Sequence, residues 1–182
     1  MEPYIHSSAF IEEGSSIGHG SKIWHHVQIR SGAKIGNKCI IGKGVFIDAN
    51  VVIGNNVKIQ NYVSVYQGVT VEDNVFIGPH VVFTNDLRPR AEENWEITKT
   101  TVEKGVSIGA NSTVICGITI GQYAMVGAGS VVTKSIQKHC LVFGNPAKFS
   151  SYICFCGNKL DSDSTKNLLT CKKCKKKVDL SI

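Results

Sequence analysis

The sequence predicts an all-β solenoid of short parallel strands, and three observations carry that prediction. First, every sixth residue is aliphatic: Ile5, Ile11, Ile17, Ile23, Ile29, Ile35, Ile41, Ile47, Ile53, Ile59, Val65, Val71 and Ile77, with Phe83 closing the run. The same frame resumes at Val102 and continues through Ile108, Val114, Ile120, Val126 and Val132. Second, glycine often follows the aliphatic residue, as at Gly18, Gly36, Gly54 and Gly78, and a small or β-branched residue stands four positions after it, as at Ala33, Val57, Val75, Ser112 and Ser130. Third, amphipathic helices repeat near 3.6 residues and strands near 2, and neither period holds a six-residue frame over this length. Hexapeptide repeats instead build stacked coils of short parallel strands.

Met1 to Tyr4 lead into the first repeat. Each hexad is expected to form one flat side, three sides closing a triangular coil with the aliphatic side chain inward. Glycine and small polar residues serve the corners, where positive φ is useful. Residues eighteen apart then share a side, one coil apart. His25 and His80 fall on one side in hexads three coils apart, and His26 and His80 both take the fourth position of their hexads. Three strand spacings separate them by about 14 Å, so a site using His25 or His26 together with His80 needs a second chain.

The frame breaks between Phe83 and Val102. Residues 84–101 are polar and charged and include Asn85, Asp86, Arg88, Arg90 and Trp95. Insertions in a solenoid collect on a binding face, and a long loop in a regular scaffold is usually functional. The frame is expected to end near Val132, with Cys140 to Lys148 forming a compact turn over the open end. This divides the chain into a solenoid over 1–150 and a tail over 151–182.

The formal charge of +6 does not point to nucleic acid, because seven lysines against three aspartates lie between Ser151 and Ile182. The cluster Lys172, Lys173, Lys175, Lys176 and Lys177 reads as a solvated face. No N-terminal apolar stretch precedes a cleavage site and no run is long enough to span a bilayer, so a soluble, cytoplasmic protein without a membrane span is expected. Seven cysteines without a secretion signal argue against disulfides. Cys39 falls at an inward position and reads as a small core residue. Cys154-Phe155-Cys156-Gly157 and Cys171-Lys172-Lys173-Cys174 suit a tetrahedral four-cysteine zinc site, although one intervening residue in the first pair is shorter than the usual spacing. Four thiolates leave no open position, so the zinc is expected to be structural. Gly157 and Leu160 add a resemblance to a small zinc ribbon.

Three stretches, Ser107-Ile108-Gly109-Ala110-Asn111, Val126-Gly127-Ala128-Gly129-Ser130-Val131-Val132-Thr133-Lys134 and Gly144-Asn145-Pro146-Ala147, resemble the hexapeptide-repeat acyltransferases. The usual parallel crossover is right-handed; the resemblance implies the exception, a left-handed parallel β-helix. It also implies a homotrimer that binds acetyl-CoA in clefts between adjacent prisms. Ile23-Trp24-His25-His26, Phe83-Thr84-Asn85 and Pro89-Arg90-Ala91 resemble the branch that N-acetylates the 3-amino group of nucleotide-linked sugars, either UDP-2-acetamido-3-amino-2,3-dideoxyglucuronate or dTDP-3-amino-3,6-dideoxyhexoses. Sugar and xenobiotic O-acetyltransferases of the superfamily carry a histidine in or beside the inserted loop, whereas Asp86 to Thr101 contains none.

The resemblance implies that Asn85 holds the amine, with His80 as a competing base and Asp86 as a third. His25 and His26 are candidates for the sugar or its phosphates, Arg88 and Arg90 for an anion, and Trp95 for a substrate surface. Coenzyme A contacts are expected at Gly109, Ala110, Gly127, Ala128 and Thr133 and at Asn145 and Pro146, with Lys134 and Lys148 near phosphates. The alternatives are O-acetylation of a sugar or small metabolite and a non-catalytic β-helical binding module.

Overall fold

The structure, a computed structural model, describes residues 1–161 and 168–181. Twenty short strands run from Tyr4–Ile5 to Val131–Val132, and no α-helix occurs among the described residues. They form three parallel sheets in about eight coils. The first sheet stacks Tyr4–Ile5, Lys22–Ile23, Ile40–Ile41, Lys58–Ile59, Phe76–Ile77, Ser107–Ile108 and Met125–Val126. Its register pairs Ile5 with Ile23, Ile23 with Ile41, Ile41 with Ile59 and Ile59 with Ile77. The second sheet begins at Phe10–Ile11 and the third at Ser16–Ile17. This is the parallel solenoid that the six-residue frame predicts, consistent with a left-handed β-helix.

The core is the column of frame residues. Ile23, Ile41, Ile59, Ile77 and Ile108 are fully buried, as are the corner residues Ala33, Val57 and Val75. Each inward isoleucine contributes about 1.5–3 kcal/mol by burial. Ile5 is 43% exposed because its coil has no neighbour beneath it.

Corners depend on one residue in the left-handed region. His26, Lys38, Asn50, Asn56, Tyr62, Asn74, His80, Asn111, Tyr123 and His139 all have φ between 54° and 60°. Hydrogen bonds from coil to coil hold these corners: Tyr62 N–H donates to the Lys43 carbonyl at 2.9 Å and His80 N–H to that of Asn61 at 3.0 Å. Between the third and first sheets, side chains take over the ladder. The Asn37, Asn55 and Asp73 side-chain oxygens accept from the N–H groups of His19, Asn37 and Asn55 at 2.8, 2.8 and 2.6 Å.

Two boundaries differ from the sequence expectation. The insertion ends at Lys99, because Thr100–Val102 is already a strand paired with Val69–Val71. The solenoid also continues beyond Val132. Ile136 bridges to Ile120, and Cys140–Phe143 joins the first sheet beside Met125–Val126, so the expected compact turn is instead a further strand. Lys148–Tyr152 then pairs with it antiparallel. The hexad after Val132 is two residues short, which takes the last coil out of the strict frame.

The fifth hexad position explains one weak point. Ser21 and Ser130 fill it with hydroxyls that donate to the Gly36 and Gly127 carbonyls at 2.8 and 2.6 Å. Thr100 is 1% exposed and its Oγ1 has no partner. Thr100→Val should therefore raise the stability by about 1 kcal/mol in denaturant titration, whereas Ser130→Val should lower it. A destabilised Thr100→Val would show that the hydroxyl is satisfied.

Candidate active site

The prism has three edges, and the candidate residues divide between two of them. The edge between the first and second sheets carries the corners 6–9, 24–27, 42–45, 60–63, 78–81, 109–112 and 127–130. None of these residues is acidic. The edge between the second and third sheets carries Glu12, Glu13 and Asp48, and the insertion adds Asp86, Glu92, Glu93 and Glu96.

On the acid-free edge, fourth-position side chains stack. The His80 ring lies on Tyr62, centroids 5.3 Å apart and planes within 19°. Further down, the His6 and His25 rings are 3.6 Å apart, and Trp24 lies nearly parallel to His25 at 6.2 Å. His6 Nδ1 is 2.9 Å from Ser8 Oγ, which also accepts from His26 N–H at 3.1 Å. A cavity of about 290 Å³ opens here, lined by Trp24, His25, Gly42, Lys43, Gln60 and Asn61. Desolvation by its neighbours, followed by the charges of His6, His26 and Lys43, lowers the His25 pKa although the ring is exposed. His26 and His80 are three register steps apart, about 14 Å, and do not meet in one protomer.

Above His80 the same edge becomes a wall of small residues. Gly109–Ala110, Gly127–Ala128 and Gly144–Asn145–Pro146–Ala147 succeed one another coil by coil. A Cβ on Gly127 would lie 2.8 Å from Phe143 Cβ, so only glycine leaves this approach free. Gly144 N–H donates to Ser130 Oγ at 3.2 Å, and Ala147 N–H to the Val131 carbonyl at 2.8 Å. The Asn145–Pro146 peptide is cis. Lys148 opens the antiparallel strand and is exposed, while Thr133 and Lys134 are exposed at the other edge.

The insertion crosses that other edge. Thr84 Oγ1 accepts from Cys116 N–H at 2.9 Å, and the Asn85 carbonyl from Thr98 N–H at 2.8 Å. Asp86 ties the loop: one carboxylate oxygen accepts from Arg88 N–H at 2.7 Å and the other from Glu96 N–H at 3.3 Å. Gly68, at φ +95°, lies beneath, and a Cβ there would come within 2.8 Å of Ile97 Cγ2. Asn85 is half-buried, Arg88 and Arg90 are exposed, and Trp95 is 68% exposed. His80 and Asn85 flank the strand Val82–Phe83 on its two opposite edges, at most about 16 Å apart along the chain. The chain therefore places His80 and the glycine wall on one edge and Asn85 on the next.

A bacterial transferase hexapeptide model of six repeats matches residues 14–49 and 50–85, and a model for the hexapeptide repeat of succinyl-transferase matches residues 99–134. Together they take in more than half of the chain. The chain belongs to the hexapeptide-repeat family. The chain is similar to the dTDP-3-amino-3,6-dideoxy-alpha-D-galactopyranose 3-N-acetyltransferase of Aneurinibacillus thermoaerophilus, 49% identical over 75 residues, 41% of this chain and 39% of that one. The galactoside O-acetyltransferase of Lactococcus lactis is 33% identical over 88 residues, 41% and 42% of the two chains. This hexapeptide-repeat protein thus spans about two fifths of the length of these curated relatives. An N-acyltransferase from Bacillus cereus, solved with dTDP and coenzyme A, shares the fold at a TM-score of 0.57 and 20% identity, over 81% of this chain and 79% of that one.

A second cluster lies in the tail of this hexapeptide-repeat protein. The sulfur atoms of Cys154, Cys156, Cys171 and Cys174 all lie within 4.8 Å of one another, at 3.4 Å for Cys154 and Cys174 and 3.8 Å for Cys156 and Cys171. Zinc–sulfur bonds of about 2.3 Å give a tetrahedron with edges near 3.8 Å, so the donor set fits zinc. The Cys174 backbone N–H holds the Cys171 thiol down to about 7, while burial pushes Cys154 up to about 12.

Sequence reasoning missed Tyr62, Lys43 and His6. Tyr62 stands eighteen residues before His80, so the coil period could have found it. His6 stands nineteen before His25, out of phase, and only the structure pairs them. The Asp86 carboxylate is committed to backbone N–H groups, so Asp86→Ala should make 87–97 cleave faster under limited proteolysis while leaving the melting temperature of the solenoid within about 2 °C. An unchanged cleavage rate would show that other contacts hold the loop.

Proposed function

We propose that this chain is an acetyl-CoA-dependent N-acetyltransferase acting on the 3-amino group of a nucleotide-linked amino sugar, UDP- or dTDP-linked, for surface polysaccharide biosynthesis. The observation that carries this reading is the 49% identity over 75 residues to a 3-N-acetyltransferase of a dTDP-linked amino sugar. The acid-free edge supports it, because a phosphate-rich substrate meets His25, His26 and Lys43 there without a repelling carboxylate. Gly109, Ala110, Gly127 and Ala128 offer a close wall for a pantetheine arm, with Asn145, Pro146 and Lys148 at its end. Arg88, Arg90 and the exposed Trp95 need an opposing surface. In a homotrimer, the insertion of one protomer facing the glycine wall of the next joins the two half-sites, adding Thr133 and Lys134 to the coenzyme A contacts.

In this site the sugar amine attacks the thioester carbonyl carbon. The new C–N bond forms while the carbonyl electrons move to oxygen; collapse then breaks the C–S bond, and the departing thiolate takes the proton lost by nitrogen. Asn85 accepts a hydrogen bond from the amine and aims its lone pair, a contribution of position rather than basicity. A backbone N–H steadies the oxyanion. His80 is the alternative proton acceptor. O-acetylation is the second reading, favoured by the 33% identity to the galactoside enzyme. A hydroxyl needs a positioned base, and the insertion from Asp86 to Thr101 has no histidine to serve as one.

The tail, 151–182, holds one structural zinc through Cys154, Cys156, Cys171 and Cys174, beside a catalytic unit over 1–150. The free, buried thiols of Cys39, Cys116 and Cys140 suit a reducing compartment, which supports a cytoplasmic location.

Release of coenzyme A thiol from acetyl-CoA should require a nucleotide-linked amino sugar, and Asn85→Ala should lower kcat by about 100-fold, more than His80→Ala does. An unaltered Asn85→Ala beside an inactive His80→Ala would move the proton transfer to His80, and turnover with hydroxyl acceptors alone would favour O-acetylation. Metal analysis of reduced, freshly purified protein should find about one zinc per chain; its absence removes the zinc reading.

A further inference from the structure

A solenoid that ends in an uncovered coil exposes strand edges and apolar interior. Here Lys148–Tyr152 covers Cys140–Phe143 on the first sheet, but on the third sheet the last coil forms no strand and is tied by the single Ile120–Ile136 bridge, by Thr119 N–H donating to Ser135 Oγ at 3.0 Å and by His139 N–H donating to the Gln122 carbonyl at 2.8 Å. A cavity of about 420 Å³ remains at this end, lined in part by Val132, Ile136, Val142, Phe149 and Tyr152. The next segment of the chain is the start of the four-cysteine unit, and it lies against the corner at His139.

The contact is specific. Ile153 N–H donates to the His139 carbonyl at 2.8 Å, and His139 Nδ1 donates back to the Ile153 carbonyl at 2.9 Å. His139 is only 4% exposed, has φ +58° and stacks on Tyr123 at 5.3 Å. Phe155 meets both rings edge-on, its centroid 4.7 Å from each. Tyr152 packs against the solenoid core and against the small core of the tail.

Phe155 stands between two of the cysteines, in a turn closed by Gly157 N–H donating to the Cys154 carbonyl at 2.8 Å. The buried core of the tail is Cys154, Leu160, Leu169, Cys171 and Val178, two of the five being thiols. So little apolar surface cannot hold a fold without a cross-link or metal.

We propose that the metal-loaded four-cysteine unit is the end cap of the solenoid. The metal fixes the Cys154–Gly157 turn, the turn seats Phe155 on His139 and Tyr123, and that contact holds the last coil together with the hairpin that carries Asn145 and Lys148. The proposal rests on the structural-zinc reading, so its test begins with metal content and ends on a readout of the solenoid.

Hydrogen exchange on the full-length zinc protein, before and after chelation under reducing conditions, reads each coil separately. Chelation should speed exchange at residues 136–152 by about tenfold or more while residues 22–83 stay unchanged. Phe155→Ala should keep its zinc and yet show the fast exchange at 136–152, which separates the cap contact from metal binding. If chelation alters only residues 154–181, or Phe155→Ala with full zinc leaves 136–152 protected, the tail is an independent appendage and the proposal fails. A protein that neither contains nor takes up zinc overturns the zinc reading first, and the cap with it.

Discussion

The corner turn is the constraint on which this molecule depends. After each inward aliphatic residue the chain must change direction within four residues, and one of them adopts a left-handed conformation. Outside glycine this costs about 1–2 kcal/mol per residue. The cost is offset because each turn donates its N–H to the coil beneath, as Tyr62 does to Lys43 and His80 to Asn61, and because a frame residue such as Ile59 or Ile77 is buried beside it. Neither term suffices alone, so coils are stable only when stacked. The stacking also aligns corners of equal phase, which places His80 on Tyr62 and Tyr123 under His139.

Straight edges follow from that register, and edges are where side chains can converge. The sheet faces repeat one pattern and offer little variety. Charge separates the edges: the corners from 6–9 to 127–130 carry no carboxylate, and the insertion at the neighbouring edge carries four. Sheet two lies between them. A chain so built presents two edges facing different directions, one free of carboxylates and lined by small residues, the other bearing the acidic insertion. The exposure of Trp95 is what the proposed intersubunit site would require of a side chain whose opposing surface is another chain.

The six-residue frame made most of the fold legible, because a side chain that must fill a narrow prism leaves a periodic trace. It located the insertion, the inward role of Cys39 and the separation of His26 from His80. It failed where the frame is not kept. The hexad after Val132 is two residues short, so Cys140–Phe143 read as a turn although Cys140 and Val142 point inward. The 19-residue offset of His6 and His25 hid their stack for the same reason. The structural part of Asp86 was not legible either, because sequence lists ionisable groups without their partners: its carboxylate accepts from the Arg88 and Glu96 N–H groups. Contact between Phe155 and His139 joins two patterns that have no common period.

The charge of the tail has a physical account that does not involve nucleic acid. Four thiolates around one zinc ion leave a net charge of about −2, and such a centre is stable near the surface only when cations or N–H donors surround it. Lys172, Lys173, Lys175, Lys176 and Lys177 are exposed around the Cys171–Cys174 knuckle, with Lys172 also 2.6 Å from Asp161 and Lys176 over the Phe155 ring at 6.0 Å. Seven lysines against three aspartates leave a net of four positive charges between Ser151 and Ile182, and the proposed metal centre would offset half of them. In the proposed zinc site the lysines would do what an ion pair does for a buried carboxylate: lower the cost of concentrating negative charge, at a place where the chain has too small a core to hold itself by apolar burial.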